Sequence, residues 1–144
     1  MHDGRTALYQ AAKSGYVDII QLLLDHENKN GQGLQVGEKA LPNVAAHDRT
    51  TALMQAANYG QLETVRLLLE HGAHAEASSD NENTALVLAC EDGHVEVAQL
   101  LLRQAKDPAE GRRMINQKAR GGRTSLHATC KFGHVHCTRT LIAA

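Results

Sequence analysis

The sequence predicts an all-α fold in which pairs of short helices stack into a solenoid. Four segments of the 144-residue chain align without gaps, beginning at residues 3, 48, 81 and 121. In each segment a glycine lies nine residues after an equivalent threonine. Aromatic residues make up only 3% of the chain, so the core must be built from Leu, Ile, Val and Ala, which favours closely packed helices.

The repeat length points to stacked units. The four aligned segments are DGRTALYQAAKSGYVDIIQLLL (3–24), DRTTALMQAANYGQLETVRLLL (48–69), NENTALVLACEDGHVEVAQLLL (81–102) and GGRTSLHATCKFGHVHCTRTLI (121–142). The spacings between equivalent threonines are 45, 33 and 40 residues. We take 33 residues as the bare unit. Helices this short cannot bury an apolar stripe alone, so neighbouring copies must share a continuous core.

The first helix of each unit has a start and a stop signal. Thr6 suits an N-cap, because its side-chain oxygen can accept from the free amides of the first turn. Ala7, Leu8 and the pair at 11–12 follow at helical spacing. Gly15 can then adopt the left-handed conformation that ends a helix. We expect the same at the equivalent positions of the other three copies.

A second helix is predicted directly after each glycine. Asp18, Glu63 and Glu96 lie in its first turn in three copies, where the helix dipole favours a carboxylate. Those helices end in Leu triplets at 22–24, 67–69 and 100–102. We expect the triplets to pack between units rather than to line a membrane or a zipper seam.

The pattern T-[AS]-L-x-x-[AT]-[AC]-x-x-G with a later Leu triplet resembles the ankyrin repeat. EHGAHAEA (70–77) continues the match in the second copy and INQK (115–118) resumes it in the third. The resemblance covers nearly the whole chain. It implies an ankyrin-repeat solenoid of antiparallel helix pairs, with short β-hairpin fingers projecting at right angles.

Departures from the family pattern lead to further expectations. Ala or Ser replaces the proline at the first helical position in all four copies. The turn glycine is kept at Gly4 and Gly122 but becomes Arg49 and Glu82, so those two fingers should differ or be strained. Thr138 and Thr140 in the last unit stand where Val and Leu are usual, so its second helix is expected to be a polar cap or frayed.

We predict a single domain over residues 1–144. Its repeats run about 1–45 with an insertion near 26–40, 46–78, 79–118 with an insertion near 104–113, and 119–144. The segment 26–43 is polar and rich in glycine, so we expect a long loop. The segment 103–114 contains a proline and a glycine, and it is expected to hold an extra helical turn. Both ends are abrupt, and the first outer helix is as apolar as an internal one, which favours a piece of a longer protein over a complete small one.

Composition excludes several classes of protein. The net charge is −1, so no overall field favours nucleic acid or an anionic membrane. Three cysteines and no visible signal peptide argue against a secreted disulfide scaffold. No apolar run approaches the roughly 20 residues of a spanning helix. We therefore expect an intracellular, cytoplasmic protein, with the nucleus left open, that makes no membrane contact.

The stretch TSLHATCKFGHVHC (124–137) raises the question of a metal site or a nucleophile. In repeat register, Cys130 matches Cys90 at a small core position, and Cys137 falls at a core Val position. His134 is the family's ordinary Gly-His residue, so only His136 is unexpected. The spacing does not suit zinc, and no orienting group or oxyanion donor can be named for a nucleophile. We predict no catalytic residue, no metal and no cofactor.

A basic stretch, GRRMINQKARGGR (111–123), is the remaining charged feature. It could contact phosphates but lacks aromatic residues for stacking on bases. We expect a solvated basic finger and no nucleic-acid partner.

The resemblance implies that a partner protein or peptide binds the finger tips and the ends of the first helices, on the concave face. The matching positions here are Arg5, Lys13, His47, Asp48, Asn58, Tyr59, Asp80, Asn81, Glu91, Asp92, Arg120, Arg123, Lys131 and Phe132. We hypothesise that a basic partner side chain meets Glu91 and Asp92 while apolar groups contact Tyr59 and Phe132, because exposed aromatics beside charge are typical of interface anchors.

The sequence thus predicts a non-enzymatic protein-interaction module, a scaffold or adaptor, that is monomeric or part of a longer chain. The alternative is a regulatory or targeting ankyrin domain of a larger enzyme or effector whose catalytic part lies outside this chain. A phosphate or nucleic-acid binder that uses residues 111–123 is a third possibility.

Overall fold

A computed structural model describes residues 4–30 and 42–144. The described residues form nine α-helices. These are α1 (Ala7–Ser14), α2 (Val17–Asn30), α3 (Ala52–Asn58), α4 (Leu62–Glu70), α5 (Ala85–Glu91), α6 (Val95–Leu102), α7 (Pro108–Asn116), α8 (Ser125–Phe132) and α9 (Val135–Ala143).

The helices pack in two layers. An inner layer is formed by α1, α3, α5 and α8, each in contact with the next, and an outer layer by α2, α4, α6 and α9. Each inner helix also packs on the outer helix that follows it, whereas the additional helix α7 contacts α8. The predicted all-α stack of helix pairs is confirmed.

The inner helices begin and end at the predicted residues. Oγ1 of Thr6 accepts a hydrogen bond from the Tyr9 backbone N–H at 3.1 Å, and the equivalent threonines cap α3 and α5 in the same way. The glycine after each inner helix is left-handed, with φ of +73° at Gly15 and +74° at Gly133. Each unit therefore turns back on itself at a position that an L side chain would strain.

The fourth inner helix begins with a threonine–histidine pair. Nδ1 of His127 lies 2.8 Å from the Thr124 hydroxyl and 3.4 Å from the Thr124 backbone nitrogen. The ring thus serves the N-terminus of α8, as a Glu or Gln does in a capping box.

The last three fingers are tight turns, each closed by one isolated β-bridge. The bridges join Ala45 to Thr51, Ser78 to Thr84 and Ala119 to Arg123. Arg49 and Glu82 have φ of +60° and +59°, so these two fingers keep the family's left-handed turn without its glycine. The expected strain is confirmed.

Both insertions contain more helix than the sequence predicted. Helix α2 continues to Asn30, so residues 26–30 of the predicted loop are helical, and residues 31–41 of that prediction lie outside the described residues. The second insertion holds a nine-residue helix, α7, rather than a single turn. Asp107 caps it and Pro108 occupies its first position, where proline is preorganised.

Small residues fill the space between inner helices. Ala12, Ala57 and Cys90 are fully buried at equivalent positions, and Cys137 is buried on α9 as predicted. Cys130 is exposed, however, so the prediction that it is buried is wrong. In the first three units the next inner helix covers this position, and no described residue covers it in the fourth.

The last helix is complete rather than frayed, and its threonines bond to backbone carbonyls. The Thr138 hydroxyl lies 3.0 Å from both the His134 carbonyl and the Thr129 hydroxyl. The Thr140 hydroxyl donates to the His136 carbonyl at 3.1 Å. These bonds satisfy polar groups at half-buried positions where other units carry apolar side chains.

Candidate partner-binding face

The ends of the inner helices present one row of side chains, with one residue pair per unit just before the left-handed glycine. We call this row and the adjacent finger tips the inner face. The pairs are Lys13 and Ser14, Asn58 and Tyr59, Glu91 and Asp92, and Lys131 and Phe132. Tyr59 and Phe132 are 47% and 50% exposed. Two of the four units thus carry a half-exposed aromatic ring in this row, and exposed rings of this kind are candidates for binding anchors.

A lysine lies over each of these two rings. Nζ of Lys13 is 5.3 Å from the Tyr59 ring centroid, and Nζ of Lys131 is 5.0 Å from that of Phe132. The Phe132 ring also stacks near His134, with centroids 6.3 Å apart. Contacts of a cation with a ring face at these distances are weakly favourable. Each of the two rings thus has a positive charge beside its face.

The two acidic residues of the row have different surroundings. Glu91 already forms an ion pair with Arg123, whose Nη1 lies 3.2 Å from Oε1. Asp92 is exposed, and it has no ion-pair partner among the residues that the structure describes. Asp92 is therefore the unpaired carboxylate between Tyr59 and Phe132. The hypothesis that a basic partner group meets both Glu91 and Asp92 is narrowed to Asp92 alone.

The finger tips are joined to one another. The Asp80 backbone N–H donates to the Asp48 carbonyl at 2.9 Å, and that of Arg120 donates to the Asn81 carbonyl at 3.0 Å. Nη1 of Arg120 also donates to Oδ1 of Asn81 at 3.2 Å. These contacts fix the spacing of the tips, so several predicted partner contacts also serve the fold.

The remaining predicted positions are on the same face. His47 is exposed beside Gly4, and Oδ1 of Asp48 accepts from the Thr50 backbone at 3.0 Å. Arg5 is exposed with its guanidinium 5.6 Å from the centroid of Tyr9. Asn58 is half-buried, and its carbonyl is used by the next unit.

Comparison with known families matches most of the chain. The family described as "Ankyrin repeats (3 copies)" matches residues 32–112, and "Ankyrin repeat" matches residues 3–32. The chain belongs to the ankyrin repeat family. Its last ankyrin unit lies beyond the matched residues, and it is assigned from α8 and α9, which repeat the helix pair of the other units. Only ankyrin repeats, which are typically non-catalytic and protein-binding, are matched. No curated protein matches the chain.

The cysteines and histidines of the stretch 124–137 are spread over helices α8 and α9 and the turn between them, whereas Cys90 lies on α5. Burial, with smaller effects of Cys137 and Glu91, raises the pKa of the Cys90 thiol to about 12. Burial also raises the pKa of Cys137. Both are therefore protonated at neutral pH and poor nucleophiles. Within 4–30 and 42–144, no three His, Cys, Asp or Glu side chains are grouped so as to hold a metal ion.

The basic stretch 111–123 is not one finger. Its first half is the end of α7, and only its second half belongs to the last finger. Arg123 is paired with Glu91 and Arg120 with Asn81. The prediction of a single solvated finger is therefore wrong. Asp107 and Pro108 start helix α7, and Arg112 and Arg113 lie in this helix rather than in the finger.

The sequence interpretation missed a groove of about 500 Å³ between the end of the second ankyrin unit and α7. Leu69 and Met114 contribute apolar surface, and His74, Glu76 and Glu110 are among its polar residues. The insertion was the only feature of the sequence that could have indicated this groove.

No helix in the described parts of the chain is long and apolar enough to cross a membrane.

Proposed function

We propose that this ankyrin domain is a protein-interaction module that binds an extended segment of a partner along its inner face. The observation that carries the proposal is the sequence Tyr59, Asp92, Phe132 in successive units: two half-exposed rings on either side of one unpaired carboxylate. Burying the rings against a partner would contribute apolar area. Asp92 would select a basic group between them.

The spacing of the row supports a specific partner pattern. Packed helices lie about 8–10 Å apart, and Asp92 is one helix away from each ring. A polyproline-type segment has three residues per turn and rises about 3.1 Å per residue, so every third side chain faces the same way at about the helix spacing. We therefore infer a partner motif with apolar, basic and apolar residues at positions i, i+3 and i+6.

The flanking lysines extend the pattern. Lys13 and Lys131 lie beside the two rings. Acidic partner residues outside the apolar pair would lie near these lysines. An acidic partner residue at i+3 would be repelled by Asp92. Complementary charge of this kind contributes to specificity and to the rate of association more than to affinity.

Selection from a library of random displayed peptides tests the proposal. We expect peptides enriched on the wild-type chain to carry Lys or Arg between two apolar residues, and Asp92→Lys to shift the central position to Asp or Glu. Glu70→Lys is the matched control, because it reverses an exposed charge at the end of outer helix α4 and should select the same peptides as the wild type.

The rings are tested by affinity. Tyr59→Ala and Phe132→Ala should each raise the Kd of a selected peptide by about tenfold or more, as expected for interface anchors. Circular dichroism would first establish that both variants fold. Unchanged affinity in the double variant, or enrichment that ignores Asp92→Lys, would reject the inner face as the binding surface.

A module that binds a partner segment and catalyses no reaction would act as a scaffold or adaptor. The alternative, a regulatory or targeting domain of a larger enzyme or effector, would use the same face. The two are separated by whether a catalytic domain is encoded in the same polypeptide.

A further inference from the structure

Two sides of helix α7 have different surroundings. On one side the helix packs on α8, with Gly111 and Met114 buried. Glu110 and Arg113 are three residues apart, so they are neighbours on the surface of the helix. Both line a space between α7 and the segment 73–76 that follows α4. Helix α7 is therefore one wall of the groove, and the second ankyrin unit is the other.

The groove extends along α7 beyond its main part. Glu76 and Glu110 line the main part of about 500 Å³, and Glu76 also lines an adjacent depression with Arg113 and Gln117. Because both spaces contact Glu76, they adjoin each other, and we call them together the α7 groove. A helix of nine residues is about 13 Å long, so the α7 groove has room for about two turns of a second helix. Every residue that lines it lies within 69–117, away from both ends of the chain.

The buried part of the α7 groove is apolar. Met114 is 4% exposed, and Leu69 is partly buried against the core. Ala73 and Ala75, on the wall opposite α7, are small, so they leave space that a larger apolar side chain can enter. Removing such a side chain from water is favourable. An occupant of the α7 groove therefore needs at least one apolar residue.

The charged residues of the α7 groove follow an order along the helix. Glu110 is half-buried near the start of α7, where its carboxylate accepts a hydrogen bond from the Lys106 backbone N–H. Glu76 is exposed on the opposite wall, and Arg113 is exposed about one turn further along α7. Neither Glu76 nor Arg113 has an ion-pair partner in the part of the chain that the structure describes. The groove thus has two carboxylates in its main part, partly balanced by Lys106, and a guanidinium beyond them.

We propose that the α7 groove binds an amphipathic helix of a partner protein that carries basic, apolar and acidic side chains on one face. Its basic side chain would lie between Glu76 and Glu110, and its acidic side chain would face Arg113. Its apolar side chain would contact Met114. Since Glu110 and Arg113 are three residues apart, the opposite charges of the partner should be three or four residues apart as well. Recognition of a helix in a groove uses anchors at i, i+3, i+4 and i+7.

The charges of the α7 groove argue against other occupants. A nucleic acid or an anionic membrane would bring phosphate groups close to Glu76 and Glu110, and like charges repel. A wholly apolar helix would bury the Glu110 carboxylate further without a cationic partner, which is costly. The α7 groove includes neither Tyr59 nor Phe132, so this proposal does not depend on binding at the inner face.

Selection from a library of displayed helical peptides tests the proposal. The peptides have a frame of strong helix formers with random residues at i, i+3, i+4 and i+7, and the target is the full chain. We expect the enriched peptides to carry a basic and an acidic residue three or four positions apart, beside an apolar one. The Tyr59→Ala, Phe132→Ala double variant should bind these peptides as the wild type does, so failure of inner-face binding and failure of groove binding are separate results.

Charge reversal on the two walls tests the location of the site. Arg113→Glu should raise the Kd of an enriched peptide by about fivefold, because an attraction becomes a repulsion, and it should change the selected acidic residue to Lys or Arg. Glu76→Lys should change the selected basic residue to Asp or Glu. Arg112→Glu is the matched control, because it makes the same change at the preceding exposed residue, which lines a different depression beside α9. It should leave the affinity and the selected residues unchanged.

Other outcomes would reject the proposal. Absence of enriched helices, or equal effects of Arg112→Glu and Arg113→Glu, would show that the α7 groove does not bind a helix of this kind. Tighter peptide binding after replacement of residues 31–41 by glycine and serine would assign the groove to this chain's own insertion. A mass above 15.6 kDa in sedimentation equilibrium that Arg113→Glu abolishes and Arg112→Glu does not would assign the groove to a second copy.

Discussion

Nε2 of His94 donates to the backbone carbonyl of Asn58 across the junction of the second and third units, at 3.1 Å. A carbonyl can only accept, so Nε2 must carry hydrogen. The same ring lies over Gly60, where an added Cβ would be 2.5 Å from Nδ1. The histidine thus joins two units by a hydrogen bond and by filling the space that a glycine leaves.

The first prediction concerns this contact. His94→Ala should lower the free energy of unfolding by about 1–3 kcal/mol, because it leaves a carbonyl without its partner. Gly60→Ala should cost more than the about 1–2 kcal/mol of a left-handed L residue, because it also meets the ring. Urea unfolding of both single variants and the double variant measures the coupling.

Gly72 supplies the control for that series. It also has positive φ, +83°, but nothing lies within 4 Å of an added Cβ. Gly72→Ala should therefore show the conformational cost alone. In a His94→Ala background, Gly60→Ala should fall to the same value. Strict additivity of His94→Ala and Gly60→Ala would show that the ring does not fill this space.

The second prediction concerns the strained fingers. Arg49→Gly and Glu82→Gly should each raise the free energy of unfolding by about 0.5–1 kcal/mol, since glycine relieves the left-handed conformation but gains entropy when unfolded. Gly122→Ala, at φ +75° with open space around it, should change the stability in the opposite direction. Thermal unfolding of the three variants is the measurement, and a loss of stability in both glycine variants would contradict the assignment of strain.

The third prediction concerns a buried hydroxyl. Thr64 is 1% exposed, and its Oγ1 has no hydrogen-bond partner in the described residues. Val97 stands at the equivalent position of the next unit. Thr64→Val should stabilise the protein by about 1 kcal/mol, because an unsatisfied polar group is removed at nearly constant volume.

The same replacement at a bonded threonine is the control. Thr84 is equally buried, but its Oγ1 accepts from the Val87 backbone N–H at 3.3 Å. Thr84→Val should cost about 1 kcal/mol through loss of the N-cap. Denaturation midpoints that move the same way in both variants would rule out this interpretation of Thr64.

The fourth prediction concerns pH. The pKa of Cys90 is about 12 in the folded protein against an ordinary value of 9.0. Because the folded pKa is raised, the Cys90 thiol of the unfolded chain ionises at a lower pH than that of the folded protein. The contribution of the neutral thiol to the free energy of unfolding is therefore fully present below pH 9 and is lost as pH rises towards 12. Between pH 7.5 and pH 10, the wild type should lose about 1 kcal/mol more stability than Cys90→Ala.

Urea unfolding of both proteins at the two pH values measures this difference, because the other ionising groups are common to both. Thiol labelling adds a second readout. Cys130 is exposed and Cys90 is buried, so alkylation at neutral pH should modify Cys130 first. Labelling of Cys90 at the same rate would contradict its burial.

Much of the fold was predictable because it depends on short-range signals. The threonine before each inner helix and the glycine after it act locally. All four glycines are left-handed as predicted, and the threonine side chain caps the helix in the first three units. The strain at Arg49 and Glu82 was predictable for the same reason. The length of α7 was underestimated, although Asp107 and Pro108 are recognisable start signals.

The errors concern contacts that depend on neighbours in space. Cys130 matches Cys90 in every local respect, yet it is exposed because no described helix packs on that side of α8. The pairing of Glu91 with Arg123 joins residues from different units, and no sequence pattern indicated it. The repeat alignment therefore gives the position of a residue within its own unit, but it does not show which residues of the adjacent unit contact it.

Small residues set how closely successive inner helices approach one another. Ala12, Ala57 and Cys90 lie at equivalent positions of three inner helices and are fully buried. Because protein interiors are close-packed, a larger side chain at Ala57 or Cys90 would push two units apart. The distance from Tyr59 to Phe132, and with it the length of partner segment that spans both rings, therefore depends on the volume of side chains that no partner touches.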